Sequence, residues 1–237
     1  MGRRTSRYSE YASAFFNAQG LLVPSSLDHD AALFPTEGFV APPRLFFDGM
    51  MTPAEDQEDT PWCAAYAASN FAECVLWRRL GYPPGIDPEP LYLHAKKVDG
   101  EPDLHGTRLE CALDGLLATD VFPRETCAVR TFGGTRYGAD GLLRAKFAIH
   151  RYGCCVAGFD ITDEWFSPRR GRVLDPKRQS VGYHAVTLCG YDENGVLAVN
   201  SWGRDYARDG FVYIGNLAFA AQFVYGAVVT HCLDGLE

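Results

Sequence analysis

Three side chains have the types and the order that nucleophilic catalysis needs: Cys63, His184 and Asn200. A thiolate can attack a carbonyl carbon, an imidazole can take up and return the proton, and an amide oxygen can hold the imidazole in place. An amide N–H can stabilise the oxyanion that develops on the substrate. The chemistry predicted for this set is acyl transfer through a thioester on Cys63.

The residues around Cys63 predict that this thiol lies at the start of a helix. Thr60 is a suitable N-cap, Pro61 suits the first helical position, and an alanine-rich run continues to about Leu80. Unpaired N–H groups and the positive end of the helix dipole favour a thiolate in the first turn. We therefore predict that Cys63 is the nucleophile and that it forms an ion pair with His184.

A β-hairpin is predicted to bring His184 and Asn200 together. His184 begins a strand-like run, Asn200 follows it by 16 residues, and the turn signal Asn194-Gly195 lies between them. Asn200 would then hydrogen-bond one imidazole nitrogen and leave the other facing Cys63.

Longer motifs surround these residues. They are Tyr183-His184-Ala185-Val186, Gly190-Tyr191, Asn200-Ser201-Trp202-Gly203 and Asp209-Gly210-Phe211, together with Gln57 six positions before Cys63. From about residue 41 to the C-terminus, the chain resembles the papain family of cysteine peptidases, in the style of its compact bacterial members. The resemblance implies an α+β, papain-like fold, in which a helical left subdomain and a β-barrel-like right subdomain enclose the active-site cleft.

The resemblance also implies a role for each matching residue. Cys63 would attack the peptide carbonyl, and His184, oriented by Asn200, would protonate the leaving amine. Gln57 would donate to the oxyanion beside the backbone N–H of Cys63. Trp202 would shield the hydrogen bond between His184 and Asn200 from water.

Gly106 and Thr107 occupy the place of the loop that, in the papain family, pairs with the substrate backbone. The resemblance therefore implies that they bind substrate.

Two features depart from the family. Trp62 precedes the nucleophile and Ala64 follows it, whereas the family usually has a tryptophan after it. Thr60 stands where the family has a cysteine, so the usual disulfide near the nucleophile is not expected.

Hydrophobic patterning predicts helices in the first part of the chain and strands in the second, which is typical of an α+β protein. The predicted helices span residues 61–80, 88–98, 108–118 and 140–151, and the predicted strands span residues 154–161, 184–190, 196–201, 211–214 and 223–230. A catalytic domain is expected over residues 41–237, with a helical part at about 55–152 and a β part at about 153–237.

Residues 1–40 are interpreted as an N-terminal arm with one short predicted helix at residues 9–17. The arm is either a tail packed on the main body or a pro-segment that crosses the cleft and inhibits the enzyme. The first residues, Met1 to Ser6, fit the short and common pattern for N-myristoylation. No membrane span or classical export signal is visible. We expect a cytoplasmic protein, or one delivered to another cell without a signal peptide.

The formal net charge of −8 argues against a general nucleic-acid binder. The eight cysteines lack the spacing of zinc or redox motifs, and most are interpreted as small buried residues of a reduced protein. The predicted chemistry requires no metal and no organic cofactor. The expected partner is a peptide or protein substrate, and the enzyme is expected to be a monomer.

Two alternatives stay open at this point. A thiol-dependent amidase or acyltransferase would keep the chemistry and change the bond or the acceptor. A papain-like effector or binding scaffold would have no turnover at all.

An acidic group before Cys63 either complements the helix dipole or biases the cleft toward Lys and Arg side chains. Its members are Glu55, Asp56, Glu58 and Asp59.

Overall fold

The structure is a computed structural model that describes residues 21–23, 30–133, 139–176 and 179–230. Three features predicted from the sequence therefore lie outside the described residues. They are the helix at residues 9–17, the myristoylation pattern at residues 1–6 and Cys232.

Five α-helices occur in the described part of the chain. They are α1 (Cys63–Leu80), α2 (Pro88–Val98), α3 (Leu109–Ala118), α4 (Asp140–Tyr152) and α5 (Asn216–Gln222). The first four correspond to the predicted helices, whereas the short helix α5 was not predicted. Helices α2 and α3 pack against each other and against α1. The helical character of the first part of the chain is therefore confirmed.

The predicted start of α1 is wrong by two residues. The helix begins at Cys63, and Trp62 occupies the N-cap position without a side-chain cap. The Thr60 hydroxyl, which was predicted to cap the helix, instead donates to the carbonyl oxygen of Gln57 at 2.6 Å. The C-terminal end matches the prediction, with Gly81 in the left-handed conformation at φ 80°. Cys63 is thus the first helical residue.

The predicted N-cap of α3 is also wrong. Thr107 was expected to cap this helix, but the helix begins at Leu109 and Arg108 occupies the N-cap position. The Thr107 hydroxyl donates to Asp99 Oδ2 at 2.9 Å instead. In both cases the threonine lies before the N-cap position, and its hydroxyl donates to an acceptor that precedes the helix.

Eight strands form one mostly antiparallel sheet. They are β1 (Leu45–Phe46), β2 (Ala128–Gly133), β3 (Cys155–Thr162), β4 (Arg172–Val173), β5 (Ser180–Tyr191), β6 (Gly195–Val199), β7 (Phe211–Gly215) and β8 (Phe223–Thr230). The order is β2-β8-β3-β5-β6-β7-β4, with β1 added beside β5. The described strands therefore form an open sheet. Strand β2 lies within the part predicted to be helical, and it pairs with β8 over its whole length.

Strand β5 lies in the middle of the sheet and positions the second half of the predicted site. It pairs with β3 on one side, where Phe159 is opposite His184 and Gly158 is opposite Ala185. It pairs with β6 on the other side. Helix α1 packs on this strand, and the hydroxyl of Thr187 donates to the carbonyl oxygen of Ala67 at 2.7 Å. The sheet and the nucleophile helix are therefore directly joined.

Helix α1 buries many small side chains, which allows close packing around it. Its fully or almost fully buried alanines are Ala64, Ala65, Ala67, Ala68 and Ala72. The seven cysteines in the described ranges are all buried and all free of disulfides. This confirms, for the cysteines other than the predicted nucleophile, that they are small buried residues. Within the described residues, no helix is both long and apolar enough to cross a membrane.

Candidate active site

The structure places Cys63 at the N-terminus of α1 and beside the middle of the central strand β5. Its side chain is fully buried. Burial raises the pKa of the Cys63 thiol to about 12, although hydrogen bonds from the backbone N–H groups of Ala185, Ala64 and Cys63 itself oppose this rise. Since Ala185 directly follows His184, the contact between its backbone and the thiol brings the nucleophile next to the predicted base.

His184 and Asn200 are joined as the hairpin prediction requires. The Nε2 atom of His184 lies 2.7 Å from Oδ1 of Asn200, and both residues are fully buried. Because an amide oxygen only accepts, the imidazole donates through Nε2, and Nδ1 is the nitrogen left for proton exchange. The Asn200 oxygen also accepts from the N–H of Ser201 at 2.8 Å, which fixes the amide.

Burial opposes the ion pair that the sequence led us to expect. It lowers the pKa of His184 to about 4, and the hydrogen bond with Asn200 offsets this only in part. Together with the raised pKa of Cys63, the environment favours a neutral imidazole and a neutral thiol near pH 7. Mutual attraction between thiolate and imidazolium would act in the opposite direction.

Aromatic rings cover the imidazole. The ring of Trp202 lies 4.6 Å from that of His184 between centroids and is 5% exposed. Trp165 contacts the same imidazole edge-on at 6.3 Å. Phe166 stacks on Trp202, with 5.4 Å between the ring centroids. The hydrogen bond between His184 and Asn200 therefore lies in buried surroundings that are rich in aromatic rings.

Gln57 is held beside the site by the segment that follows Asn200. The N–H of Gln57 donates to the carbonyl oxygen of Ser201 at 2.8 Å, and Asp56 and Trp202 form an antiparallel bridge. The Ser201 hydroxyl donates to Gln57 Oε1 at 2.6 Å. The Gln57 Nε2 atom donates to the carbonyl oxygen of Thr60 at 2.7 Å. A primary amide has two N–H bonds, so Nε2 keeps a second donor for an oxyanion.

The predicted substrate-binding residues lie in the loop before α3, and the N-terminal arm contacts them. Leu21 forms a parallel bridge with Thr107, and the N–H of Leu22 donates to the Thr107 carbonyl oxygen at 3.0 Å. Leu21 is fully buried. A methyl group at Gly158 would lie 2.5 Å from Cδ2 of Leu21, so the absence of a side chain there makes the space that Leu21 fills. Gly106 contributes its carbonyl oxygen to a bond from Lys96.

The structure thus brings Cys63, His184, Asn200 and Gln57 to one place, with Trp202 over the imidazole. Sequence reasoning missed the role of Ser201, which orients Gln57. Its place inside the Asn200-Ser201-Trp202-Gly203 motif was the available signal. In the described part of the chain, no group of three or more His, Cys, Asp or Glu side chains is placed to hold a metal ion.

A helix that begins at a buried cysteine, packed on an antiparallel sheet that carries a His/Asn pair, defines a papain-like fold of the α+β class. Solved structures of cysteine proteases share this fold. Xylellain, a cysteine protease from Xylella fastidiosa, has a TM-score of 0.65 and 15% sequence identity, and the match covers 90% of this chain and 96% of that chain.

Two further similar structures are proforms by name. Procathepsin B S9 from Trypanosoma congolense has a TM-score of 0.67 and 15% identity, covering 92% of this chain and 87% of that chain. Digestive procathepsin L 3 from the larval midgut of Tenebrio molitor has a TM-score of 0.65 and 14% identity, covering 94% and 78% respectively. No protein-family model matches the sequence, and no curated protein matches it.

Proposed function

We propose that the protein is a cysteine endopeptidase that hydrolyses peptide bonds through a thioester acyl-enzyme. The observation that carries this proposal is the 2.7 Å contact between His184 Nε2 and Asn200 Oδ1, with the backbone of the next residue, Ala185, bound to the Cys63 thiol. The cleft would lie between a helical part, at about residues 55–152, and a β part, at about residues 153–237. The papain-like fold of the similar cysteine proteases supports the same reaction class.

In the acylation step, His184 accepts the proton of the Cys63 thiol on Nδ1, and the sulfur attacks the peptide carbonyl carbon. The carbonyl oxygen becomes an oxyanion, which the N–H of Cys63 and the second amide hydrogen of Gln57 stabilise. The C–N bond then breaks, and the imidazolium gives its proton to the leaving amine. The product of this step is a thioester between substrate and Cys63.

In the deacylation step, water attacks the thioester carbon while His184 takes its proton. The C–S bond breaks, the carboxylic acid leaves, and the proton returns to the sulfur. Asn200 keeps the imidazole in one tautomer throughout, because its oxygen accepts from Nε2. Trp202 excludes water from that hydrogen bond.

A variant of the nucleophile tests this proposal. Cys63→Ala should abolish peptide cleavage while the far-UV circular dichroism and the melting temperature stay close to those of the wild type. Cys127→Ala is the matched control, because it removes another buried thiol, which lies just before β2 and outside the proposed site. Retained turnover in the Cys63→Ala variant would refute the assignment.

We further propose that the N-terminal arm inhibits the enzyme. Leu21 lies against the loop that would bind substrate on one side and against Gly158 on the other, and Gly158 pairs with the residue after His184. The backbone bond from Leu22 uses the Thr107 carbonyl that an extended peptide would need. Mass spectrometry of the enzyme's own N-terminus should show self-trimming before about Ala41. An N-terminus that stays intact under turnover conditions would contradict removal of the arm.

The acidic group suggests a substrate preference. Glu55, Asp56, Glu58 and Asp59 are exposed around the buried Gln57. Four carboxylates beside an oxyanion donor would attract a cationic side chain of the substrate. Cleavage of a peptide library should therefore be enriched for Lys or Arg near the scissile bond. A library profile without that enrichment would contradict the substrate preference and would favour the alternative, in which the carboxylates only complement the helix dipole.

A further inference from the structure

The loop between α2 and α3 carries the carbonyl group that the arm uses, yet the loop has little regular structure of its own. Apart from the single bridge at Thr107, residues 99–108 form turns and bends. The Thr107 carbonyl nevertheless accepts a backbone hydrogen bond of 3.0 Å from Leu22. Some interaction outside the backbone of the loop must hold this carbonyl in a fixed direction.

Lys96 supplies part of that interaction from the last turn of α2. Its ammonium group has three N–H donors, and it contacts three acceptors. These are Asp99 Oδ2 at 2.8 Å, the carbonyl oxygen of Glu101 at 2.6 Å and the carbonyl oxygen of Gly106 at 3.0 Å. The side chain is 16% exposed. One lysine thus ties the beginning of the loop to the residue just before Thr107.

Asp99 completes the network from inside the loop. It is 1% exposed, and its two oxygens accept from three donors. Beside Lys96, these donors are the N–H of Glu101 and the hydroxyl of Thr107, both at 2.9 Å. A buried carboxylate is tolerated when its acceptor sites are occupied in this way, and a fully satisfied polar network is rigid. The residue that presents the carbonyl is therefore held by its own side chain.

The far end of the same loop is fastened to the sheet. The N–H of Leu109 donates to the hydroxyl oxygen of Tyr225 at 2.9 Å, and this hydroxyl donates to Glu110 Oε2 at 3.1 Å. Charged and polar side chains are thus the links that fix this loop within the described residues.

We propose that Lys96 and Asp99 are positioning residues for substrate binding, which act by holding the Thr107 carbonyl toward an extended peptide backbone. Neither residue touches the reacting atoms. The inference rests on the proposed peptidase function, because the peptide that uses this carbonyl during turnover is the substrate. In the full chain, Leu22 of the N-terminal arm binds the same carbonyl, so the strength of this hydrogen bond can be measured without any enzymatic activity.

The test compares Thr107→Val, which removes the hydroxyl at constant shape, with Thr107→Ser, which keeps it. Lys96→Met is the second variant, and Lys97→Met is its matched control, since Lys97 is the exposed neighbour on the same helix. The first readout is hydrogen exchange of the Leu22 amide in the full chain, with the amide of Val186 in β5 as the reference for global opening.

Thr107→Val and Lys96→Met should raise the exchange rate of the Leu22 amide about tenfold, while the rate at Val186 stays constant. In a Leu21→Ala background, in which the arm no longer competes for the carbonyl, they should also raise KM for a peptide substrate about tenfold and change kcat less than about twofold. Thr107→Ser keeps the hydroxyl and should keep the slow exchange at Leu22, and Lys97→Met should behave like the wild type in both assays.

Unchanged exchange at Leu22, or an equal rise at Leu22 and Val186, would overturn the proposal, because the network would then have no local effect on the carbonyl. A fall in kcat without a change in KM would also contradict it. Failure of the peptidase assignment would look different: the wild type would cleave no peptide, whereas the exchange at Leu22 would still respond to the loop variants.

Discussion

Replacement of Leu21 by alanine should activate the uncleaved protein. Leu21 is fully buried between Gly158 and the loop that precedes α3, and its backbone pairs with Thr107. The buried side chain therefore contributes directly to the binding of the N-terminal arm to the rest of the protein. Leu21→Ala keeps the backbone hydrogen bond of Leu22 possible and removes only the buried apolar contact.

The magnitude follows from the burial of this side chain. Replacement of a fully buried leucine by alanine costs about 2–5 kcal/mol, and each 1.4 kcal/mol is about a factor of ten in an equilibrium constant. The equilibrium between the seated and the released arm should then shift about 30-fold to several thousand-fold toward release. The initial rate rises in the same proportion until the released form dominates, so we expect activation of about tenfold or more.

The assay is the initial rate of cleavage of a fluorogenic peptide, measured before any self-trimming is detectable by mass spectrometry. Val40→Ala is the matched control, because Val40 belongs to the same arm and is 87% exposed. An equal initial rate for Leu21→Ala, Val40→Ala and the wild type would refute the inhibitory role of the arm. Melting curves of the three proteins would separate release of the arm from unfolding of the chain.

Three further outcomes follow from the site. Because burial raises the pKa of Cys63 to about 12, its alkylation by iodoacetamide in the full chain should rise about tenfold per pH unit between pH 6 and 9; a flat profile would indicate a preformed ion pair. Ser201→Ala removes the 2.6 Å bond to Gln57 Oε1 and should lower kcat about tenfold with little change in KM, and an unchanged kcat would exclude Gln57 as an oriented oxyanion donor. The pKa of His184 is lowered from 6.5 to about 4, so the unfolded state binds the proton first as the pH falls. Urea unfolding should therefore show a loss of about 3 kcal/mol between pH 7 and pH 4 that is absent in His184→Gln.

Much of the fold follows from local sequence patterns, and the errors have a common cause. The two threonines predicted as N-caps, Thr60 and Thr107, both use their hydroxyl for an acceptor outside the helix, namely the Gln57 carbonyl oxygen and the Asp99 carboxylate. Capping rules describe the preference of an isolated helix end, and here both helices begin later in the chain than the rule places them, while each threonine bonds to the segment before its helix.

Short strands were beyond the reach of sequence patterns. Strands β1 and β4 have two residues each, which is too short for a periodicity, and β2 lies between two helices that dominate the pattern around it. Strand β2 is recognisable only through its pairing with β8, about a hundred residues later. Non-local pairing of this kind leaves little local trace.

The catalytic residues proposed for the site were easier to predict from the sequence than the hydrogen bonds that hold them in place. The hairpin turn at Asn194-Gly195 set the distance between His184 and Asn200, so a local pattern was sufficient for that pair. The bond between Ser201 and Gln57 joins residues 144 positions apart, and no local pattern reports it. The sequence also failed to predict that burial favours the neutral forms of Cys63 and His184. A helix dipole can be inferred from the sequence, whereas the degree of burial of a side chain cannot.

The most direct test of the central claim is to locate the covalent bond. The full-length protein is treated with an epoxide thiol probe, digested and analysed by tandem mass spectrometry, next to the variants His184→Ala and Cys127→Ala. A nucleophile activated by His184 predicts a label on Cys63 that is retained in Cys127→Ala and strongly reduced in His184→Ala. A label confined to another cysteine, or equal labelling of Cys63 with and without His184, would contradict the account.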